Sequence, residues 1–132
     1  MVTNLDNIFN LSQPEFYDCY VERYHSSFHV VRIRAERFES ELRDSENLLE
    51  MVFTDVLYFE GPFHWTGANV RIAPRDTCLD VLYATRLLND QSPEDDIEET
   101  LDNYHLFTVQ ATSGFLIKMI AHNSHFTINM IG

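Results

Sequence analysis

Residues that several common chemistries require are scarce in this chain. Only four glycines and a single lysine occur among the 132 residues. Neither a Gly-x-Gly-x-x-Gly nor a Walker-type loop is present, and such loops need closely spaced glycines so that the backbone can approach a phosphate. The Gly-x-Ser-x-Gly signature of many hydrolases is also missing. We therefore assign no catalytic residue and no cofactor, and the sequence weighs against an enzyme without settling the question.

Cysteine and histidine are too few and too scattered to indicate a metal site. Cys19 and Cys78 lie far apart without metal-type spacing, so reduced thiols are expected. His25 and His29 have the four-residue spacing of a helical metal pair, but the helix expected in this region ends between them. No acidic third ligand accompanies them in a recognisable pattern. The sequence therefore predicts no metal.

Long apolar runs are absent too. No stretch approaches the roughly 18 apolar residues of a membrane span. The first six residues contain neither the basic region nor the apolar run of a secretory signal. We therefore expect a cytoplasmic location and no membrane association.

Positive charge is in short supply. Nine basic residues stand against 21 acidic ones, which gives a formal net charge of −12. A field of this sign repels the phosphate backbone of nucleic acids and anionic membrane surfaces, so neither is expected as a partner. The charge either only keeps the protein soluble or attracts a basic protein, and both interpretations stay open.

The acidic residues are concentrated between positions 90 and 102, a segment without any basic residue. A solvated charged segment is the plain interpretation of such a run. The functional interpretation is a surface that docks a basic protein partner and speeds association by electrostatic steering. On this basis the predicted partner-binding residues are Asp90, Glu94, Asp95, Asp96, Glu98, Glu99 and Asp102.

Hydrophobic patterning predicts one helix near the N-terminus, followed mainly by strands. Ser12-Gln13-Pro14-Glu15 has the form of a capping box, and five apolar residues then recur at helical spacing up to Tyr24. From Phe28 the period changes to two, as expected for a half-buried strand. Residues 77–89 fit a helix and a strand about equally, with strand slightly favoured. Residues 92–101 are expected to form a short helix or a solvated loop.

The expected fold is therefore α+β, in a single domain over residues 1–132. Its mostly antiparallel sheet of about six strands packs the N-terminal helix on one face. The residues predicted for the core are Phe16, Tyr20, Val31, Ile33, Val52, Phe53, Val56, Leu57, Val70, Ile72, Phe107, Val109, Leu116, Met119, Phe126 and Ile128.

A competing hypothesis is a small-ligand or enzyme site assembled from residues that are distant in sequence. Asp55 interrupts an apolar segment, and His64 and Trp65 follow a chain break at Gly61-Pro62. A deep pocket that joins these three side chains would favour this hypothesis, whereas a flat acidic surface would favour a binding protein. Homodimer formation through an exposed edge strand is a third alternative.

Three short segments resemble one group of bacterial proteins. These are Ser27-Phe28-His29, Leu57-Tyr58-Phe59 and Gly114-Phe115-Leu116-Ile117. In these segments the chain is similar to small α+β immunity proteins, which neutralise the toxins of neighbouring cells, and the likeness spans residues 27 to 131. The resemblance implies a non-catalytic inhibitor or antagonist, and it assigns no individual functional residue. The leading hypothesis is therefore an acidic protein-binding domain that acts on a basic partner.

Overall fold

The chain forms nine strands and two α-helices in the part that the structure describes. This computed structural model describes residues 8–9, 11, 13–25, 30–37 and 48–128. The elements are β1 (Tyr17–His25), β2 (Val30–Arg37), β3 (Leu48–Thr54), β4 (Tyr58–Glu60), β5 (His64–Thr66), β6 (Asn69–Ile72), α1 (Arg75–Ala84), α2 (Glu94–Asn103), β7 (His105–Gln110), β8 (Leu116–Ala121) and β9 (Asn123–Ile128). None of the described helices is long and apolar enough to cross a membrane.

The strands form two antiparallel sheets. The five-stranded sheet has the order β5-β1-β2-β3-β9, and the four-stranded sheet has the order β4-β8-β7-β6. Along the chain, β3 leads into β4 and β8 leads into β9. Two neighbouring strands of one sheet, β3 and β9, are thus connected to two neighbouring strands of the other, β4 and β8. At this corner the Leu57 N–H donates to the Ile120 carbonyl oxygen over 2.8 Å. The backbone pairing therefore carries on from one sheet to the other.

A second corner joins the sheets where β5 continues into β6. Gly67 occupies this corner with φ +119°, a conformation that side chains rarely allow. The Thr112 N–H, just after β7, donates to the Thr66 carbonyl oxygen at the end of β5 over 2.8 Å. The end of β7 is thereby tied to the edge of the opposite sheet.

The main core lies between the two sheets because apolar residues alternate along the strands. In β2, Val31, Ile33 and Ala35 are fully buried, while the intervening residues are only partly buried. Phe53 of β3 and Phe107 of β7 meet edge to face, with ring centroids 5.3 Å apart. The strand that the period-two pattern predicts in this region is confirmed.

Both helices pack on the outer face of the four-stranded sheet, where they form a second, smaller core. Its buried members are Cys78, Leu82, Leu88, Leu101, Leu106 and Ile120. Cys78 and Leu82 are four residues apart, so they lie on one face of α1. The preference for a strand over residues 77–89 is therefore wrong. Of the two alternatives for residues 92–101, the structure has the helix, as α2.

The predicted N-terminal helix is also wrong, and with it the single sheet that it was expected to cover. After one 3-10 turn (Pro14–Phe16), the chain enters β1. Tyr17 and Cys19 are buried, two residues apart, and Cys19 pairs with Ala35 of β2. Gln13, which precedes the turn, has φ 51°, and no side-chain hydrogen bond caps the turn. Ser12, the expected capping residue, lies outside the described residues.

The core prediction fails where the N-terminal helix was assumed and at two exposed leucines. Phe16 and Tyr20 are only half-buried, and Tyr20 lies on the outer face of the five-stranded sheet beside Arg34. Leu57 and Leu116 are 37% and 40% exposed. The side chains of Phe126 and Ile128 fall outside the described part. Buried as predicted are Val31, Ile33, Val52, Phe53, Val56, Val70, Phe107, Val109 and Met119, with Ile72 partly buried against them.

Candidate acidic docking site

Six of the seven predicted partner-binding residues lie on one helix, α2, and the seventh, Asp90, lies in the turn that precedes it. All seven side chains are exposed. Below, these seven residues are called the acidic surface. Pro93 precedes the first turn, and the three acids of that turn favour the positive end of the helix dipole. Ile97 and Leu101 pack into the second core, so the opposite side of α2 presents its carboxylates to solvent.

One arginine partly neutralises one flank of α2. Arg75 of α1 contacts Glu98 over 2.8 Å and Asp102 over 3.0 Å, and these two carboxylates are one helical turn apart. Hydrogen bonding to Asp102 and Glu98 raises the pKa of Arg75 above its ordinary value. All three side chains are about half exposed or more, so the ion pairs contribute little to stability.

Within the described residues, the other five carboxylates of the acidic surface have no such ion pair. No lysine, arginine or histidine within the described part of the chain forms an ion pair with Asp90, Glu94, Asp95, Asp96 or Glu99. Elsewhere two arginines of β2 pair with acids, Arg32 with Glu50 and Arg34 with Glu36. Negative charge is thus left unbalanced on α2, while Arg32 and Arg34 are already paired with acids of their own sheet.

A groove of about 360 Å³ runs beside the uncompensated flank of α2. Two leucines line it, Leu87, which is 42% exposed, and Leu88, which is almost fully buried. Asp96 and Glu99 supply carboxylates, and Thr100 and Asn103 add polar groups from the same helix. The groove therefore combines apolar contact area with negative charge.

The three residues of the competing hypothesis do not converge. Trp65 is buried in the main core, and its indole N–H donates to the Gly67 carbonyl oxygen over 2.8 Å. His64 is its neighbour in β5, so it points to the opposite face, where its ring lies 6.1 Å from that of Tyr20. Asp55 is exposed in the turn after β3, with φ 52°. The described surroundings of these three side chains therefore do not bring them together at one site.

The two thiols are free and separately buried. Cys19 lies in the main core, where its Sγ donates to the Gly67 carbonyl oxygen over 3.4 Å, and Cys78 lies in the second core. Burial is the main cause that raises the pKa of each thiol above its ordinary value. Since the thiolate is the reactive form, neither cysteine is suited to act as a nucleophile. The expectation of free thiols is confirmed.

We expect both thiols to resist a disulfide reagent in the folded protein. At pH 8 the native chain should react with 5,5′-dithiobis(2-nitrobenzoate) only as fast as it unfolds, because burial and raised pKa values both suppress the thiolate. In denaturant both cysteines should react at once. Rapid reaction of either thiol without denaturant would contradict the burial described here.

The histidines offer no metal site in the described residues. No group of three or more His, Cys, Asp or Glu side chains is placed there to hold an ion. His29 and the side chain of His25 lie outside the described part. His122 lies at the corner between β8 and β9, where its Nδ1 is 2.5 Å from the Asn103 carbonyl oxygen at the end of α2. Its role there is to link the helix to the sheet corner.

The sequence does not predict another concave site, which lies at the Gly67 corner. It joins residues 14–15, 67–69 and 110–112, which are far apart in the chain. The only signal in the sequence is the pair of amides, Asn69 and Gln110, that occur beside strongly apolar segments. They lie directly opposite each other in the β6–β7 register.

No family model matches the chain, and no curated protein or solved structure is significantly similar to it. The likeness to immunity proteins in three short segments therefore stays a prediction. Functional roles have to be inferred from the residues of this chain themselves.

Proposed function

We propose that this protein is a non-catalytic binding domain that docks a basic protein through its acidic surface. The observation that carries this proposal is the display of five uncompensated carboxylates on and just before a preformed helix. The helix is held in place by Ile97 and Leu101, which pack against the second core. Because this backbone is already ordered, binding at this site loses little conformational entropy.

The electrostatics favour fast and selective association with such a partner. A concentrated patch of one sign steers an oppositely charged protein into the correct orientation before contact. The same patch disfavours nucleic acids and other acidic proteins, since like charges repel. The proposed partner therefore presents a cluster of arginine or lysine side chains.

The groove beside α2 supports contact with long basic side chains in particular. Lysine and arginine bury their aliphatic stems against apolar surface while the charged group stays at a polar rim. Leu87 and Leu88 provide apolar area, and Asp96 and Glu99 provide the rim. An arginine of the partner can thus gain both packing and charge-assisted hydrogen bonds.

An inhibitory role follows naturally from this chemistry. Many toxins and nucleic-acid enzymes present a basic groove, and a rigid acidic helix placed in such a groove blocks access to it. The resemblance to immunity proteins predicts the same kind of antagonist. We propose this role for the acidic surface, with the partner's basic groove as its target.

A pair of charge-matched variants tests the proposal. Asp96→Asn with Glu99→Gln removes two carboxylates at the groove that form no ion pair within the described residues, whereas Glu98→Gln with Asp102→Asn removes the two that pair with Arg75. We expect the first variant to bind the partner at least tenfold more weakly, since the loss of even one hydrogen bond to a charged group costs roughly 1.5–3 kcal/mol. The second should change affinity by less than about threefold.

Affinity is measured by calorimetry with a basic protein purified from host extract over the immobilised wild-type chain. Equal effects of the two variants would mean that only overall charge matters, and this result would contradict docking at the groove. Urea unfolding of each variant checks that the free energy of unfolding has not changed by more than about 1 kcal/mol.

A further inference from the structure

Four strands lie at the edges of the two sheets, β5 and β9 in one and β4 and β6 in the other. β4 and β5 have only three residues each, and β4 ends on the charged Glu60. β6 contains Arg71, and its Val70 carbonyl oxygen accepts a hydrogen bond from the Ile8 N–H over 2.8 Å. Short length, charge and a covering segment are features that keep an edge strand from pairing with another chain. Three of the four edges are therefore protected.

The fourth edge strand, β9, has none of these features in the part of the chain that the structure describes. Its six residues pair with β3 in one continuous register, from Asn123 opposite Thr54 to Ile128 opposite Leu49. No residue within the described ranges pairs with its other side. Neither proline nor any aspartate, glutamate, lysine or arginine occurs at positions 119–132. The outer backbone of β9 is therefore suited to pair with a further strand.

The lack of charge on β9 favours a second copy of this chain as the source of that strand. When a strand pairs antiparallel with its own copy about a two-fold axis, a charged residue near the middle meets a like charge, which is destabilising. The chain as a whole is strongly acidic, with a net charge of −12, so few of its segments can meet their own copy. On the adjacent β3 the only charged residue is Glu50, and Arg32 contacts it over 3.1 Å. The β9 edge therefore allows two identical chains to approach closely.

We propose that two copies of this chain pair antiparallel through β9 and form a symmetric dimer. The five-stranded sheets of the two copies then join into one sheet, and the outer N–H and C=O groups of each β9 find partners on the other copy. An edge of six residues gives a small interface, so the dimer is weak and depends on concentration. The acidic surface lies on α2, which packs on the other sheet, so this inference does not depend on docking of a basic protein.

The first test is sedimentation velocity of the full chain at concentrations from about 10 μM to about 1 mM. We expect the protein to change from monomer to dimer across this range. Added salt should strengthen the dimer, because salt screens the repulsion between two chains of the same charge. A chain that stays monomeric throughout would overturn the proposal. A dimer that salt weakens would also overturn it, since such a dimer is held by contacts between opposite charges, such as the acidic surface and arginines of another copy.

A matched pair of variants, His125→Lys and His64→Lys, tests which edge is used. Both histidines are exposed on edge strands of the five-stranded sheet, His125 on β9 and His64 on β5 at the opposite end. Both substitutions change the net charge equally, and a lysine on an edge strand opposes pairing with another chain. We expect His125→Lys to weaken dimer formation about tenfold or more and His64→Lys to change it less than about threefold. Equal dimer formation by the two variants would refute the assignment to β9.

Hydrogen exchange of the wild-type chain locates the contact without any substitution. The amides of β9 that face away from β3 should exchange several-fold more slowly at the highest concentration than at the lowest, because pairing with the second copy protects them. The amides of the β5 edge should exchange at the same rate at both concentrations. Exchange across β9 that does not depend on concentration would contradict pairing through this strand.

One further comparison keeps this inference apart from the proposed function. A variant with the acidic surface neutralised should form the dimer at least as readily as the wild type, because each copy then carries less negative charge. The same variant is expected to lose affinity for the basic partner. Loss of the dimer in this variant would mean that the copies meet through α2, and this would contradict pairing through β9.

Discussion

Gly67→Ala should lower the free energy of unfolding by roughly 2–6 kcal/mol. Two costs add: about 1–3 kcal/mol for a side chain at φ +119°, and about 1–3 kcal/mol for forcing atoms into a filled space. An added Cβ would lie 2.6 Å from the Gln110 carbonyl oxygen and 3.3 Å from the Thr112 nitrogen. Both contacts are with backbone, which cannot move without disturbing the end of β7.

The anchoring role of Gly67 makes relief of this clash difficult. Its carbonyl oxygen accepts hydrogen bonds from the Trp65 indole and the Cys19 thiol, and its N–H donates to Tyr17. Any shift of the corner therefore disturbs the main core as well. Small domains are stable by only about 5–15 kcal/mol, so this single methyl group should remove a large share of the stability.

Gly114→Ala is the matched control for this prediction. Gly114 also has a positive φ, +109°, but a Cβ there would meet nothing within 4 Å. Only the conformational strain applies, so we expect this variant to lower the free energy of unfolding by about 1–3 kcal/mol. The measurement is urea unfolding of both variants. If Gly67→Ala and Gly114→Ala had the same free energy of unfolding, this would contradict the close approach of the β7 backbone to Gly67.

Neutralising the uncompensated acids should slow association with the basic partner roughly 10- to 100-fold at low ionic strength, within the range that electrostatic steering produces. The variant carries Asp90→Asn, Glu94→Gln, Asp95→Asn, Asp96→Asn and Glu99→Gln. These side chains are exposed, and none is in an ion pair within the described residues, so the fold should stay intact. Circular dichroism and urea unfolding verify this.

A control with the same change in net charge separates the position of the charge from its amount. It carries Glu22→Gln, Asp55→Asn, Glu60→Gln, Asp76→Asn and Asp80→Asn, five exposed acids outside the acidic surface. We expect this control to slow association less than about threefold, because steering depends on charge near the contact site.

The sequence was sufficient to predict elements whose pattern and end signals agree. The alternation of Val31, Ile33 and Ala35 predicts β2, and Pro93 followed by three acids makes a helix one of the two alternatives for the segment that forms α2. In both segments a single periodicity fits the residues, and for α2 the start signal is local. The exposure of the acidic surface follows from the same amphipathic pattern.

Two segments were assigned to the wrong class because their apolar residues fit two periods. Tyr17, Tyr20 and Tyr24 suit a helix, but Tyr17 and Cys19 are buried by pairing of β1 with β2 and β5. That pairing involves residues far along the chain, which local propensity does not reveal. In residues 77–89 the opposite occurred, since burial of Cys78 and Leu82 under the sheet selects the helix.

The cleft at the Gly67 corner could not be predicted at all. Its lining residues come from three segments that are far apart in the chain, and the crossing of β5 into β6 brings them together. The burial of the Asn69 Oδ1 without a hydrogen-bond partner among the described residues is a property of packing rather than of sequence. Without a register for β6 and β7, Asn69 and Gln110 are two unrelated polar residues.

The most direct test of the docking proposal is the association rate of the purified basic partner, measured by stopped-flow fluorescence as a function of salt. Wild type should associate much faster than the acidic-surface variant at low salt, and the two rates should converge as salt screens the attraction. The charge-matched control should follow the wild type. If the neutralised variant associates as fast as the wild type at low salt, or if no basic partner is retained by the immobilised protein, docking through α2 is wrong.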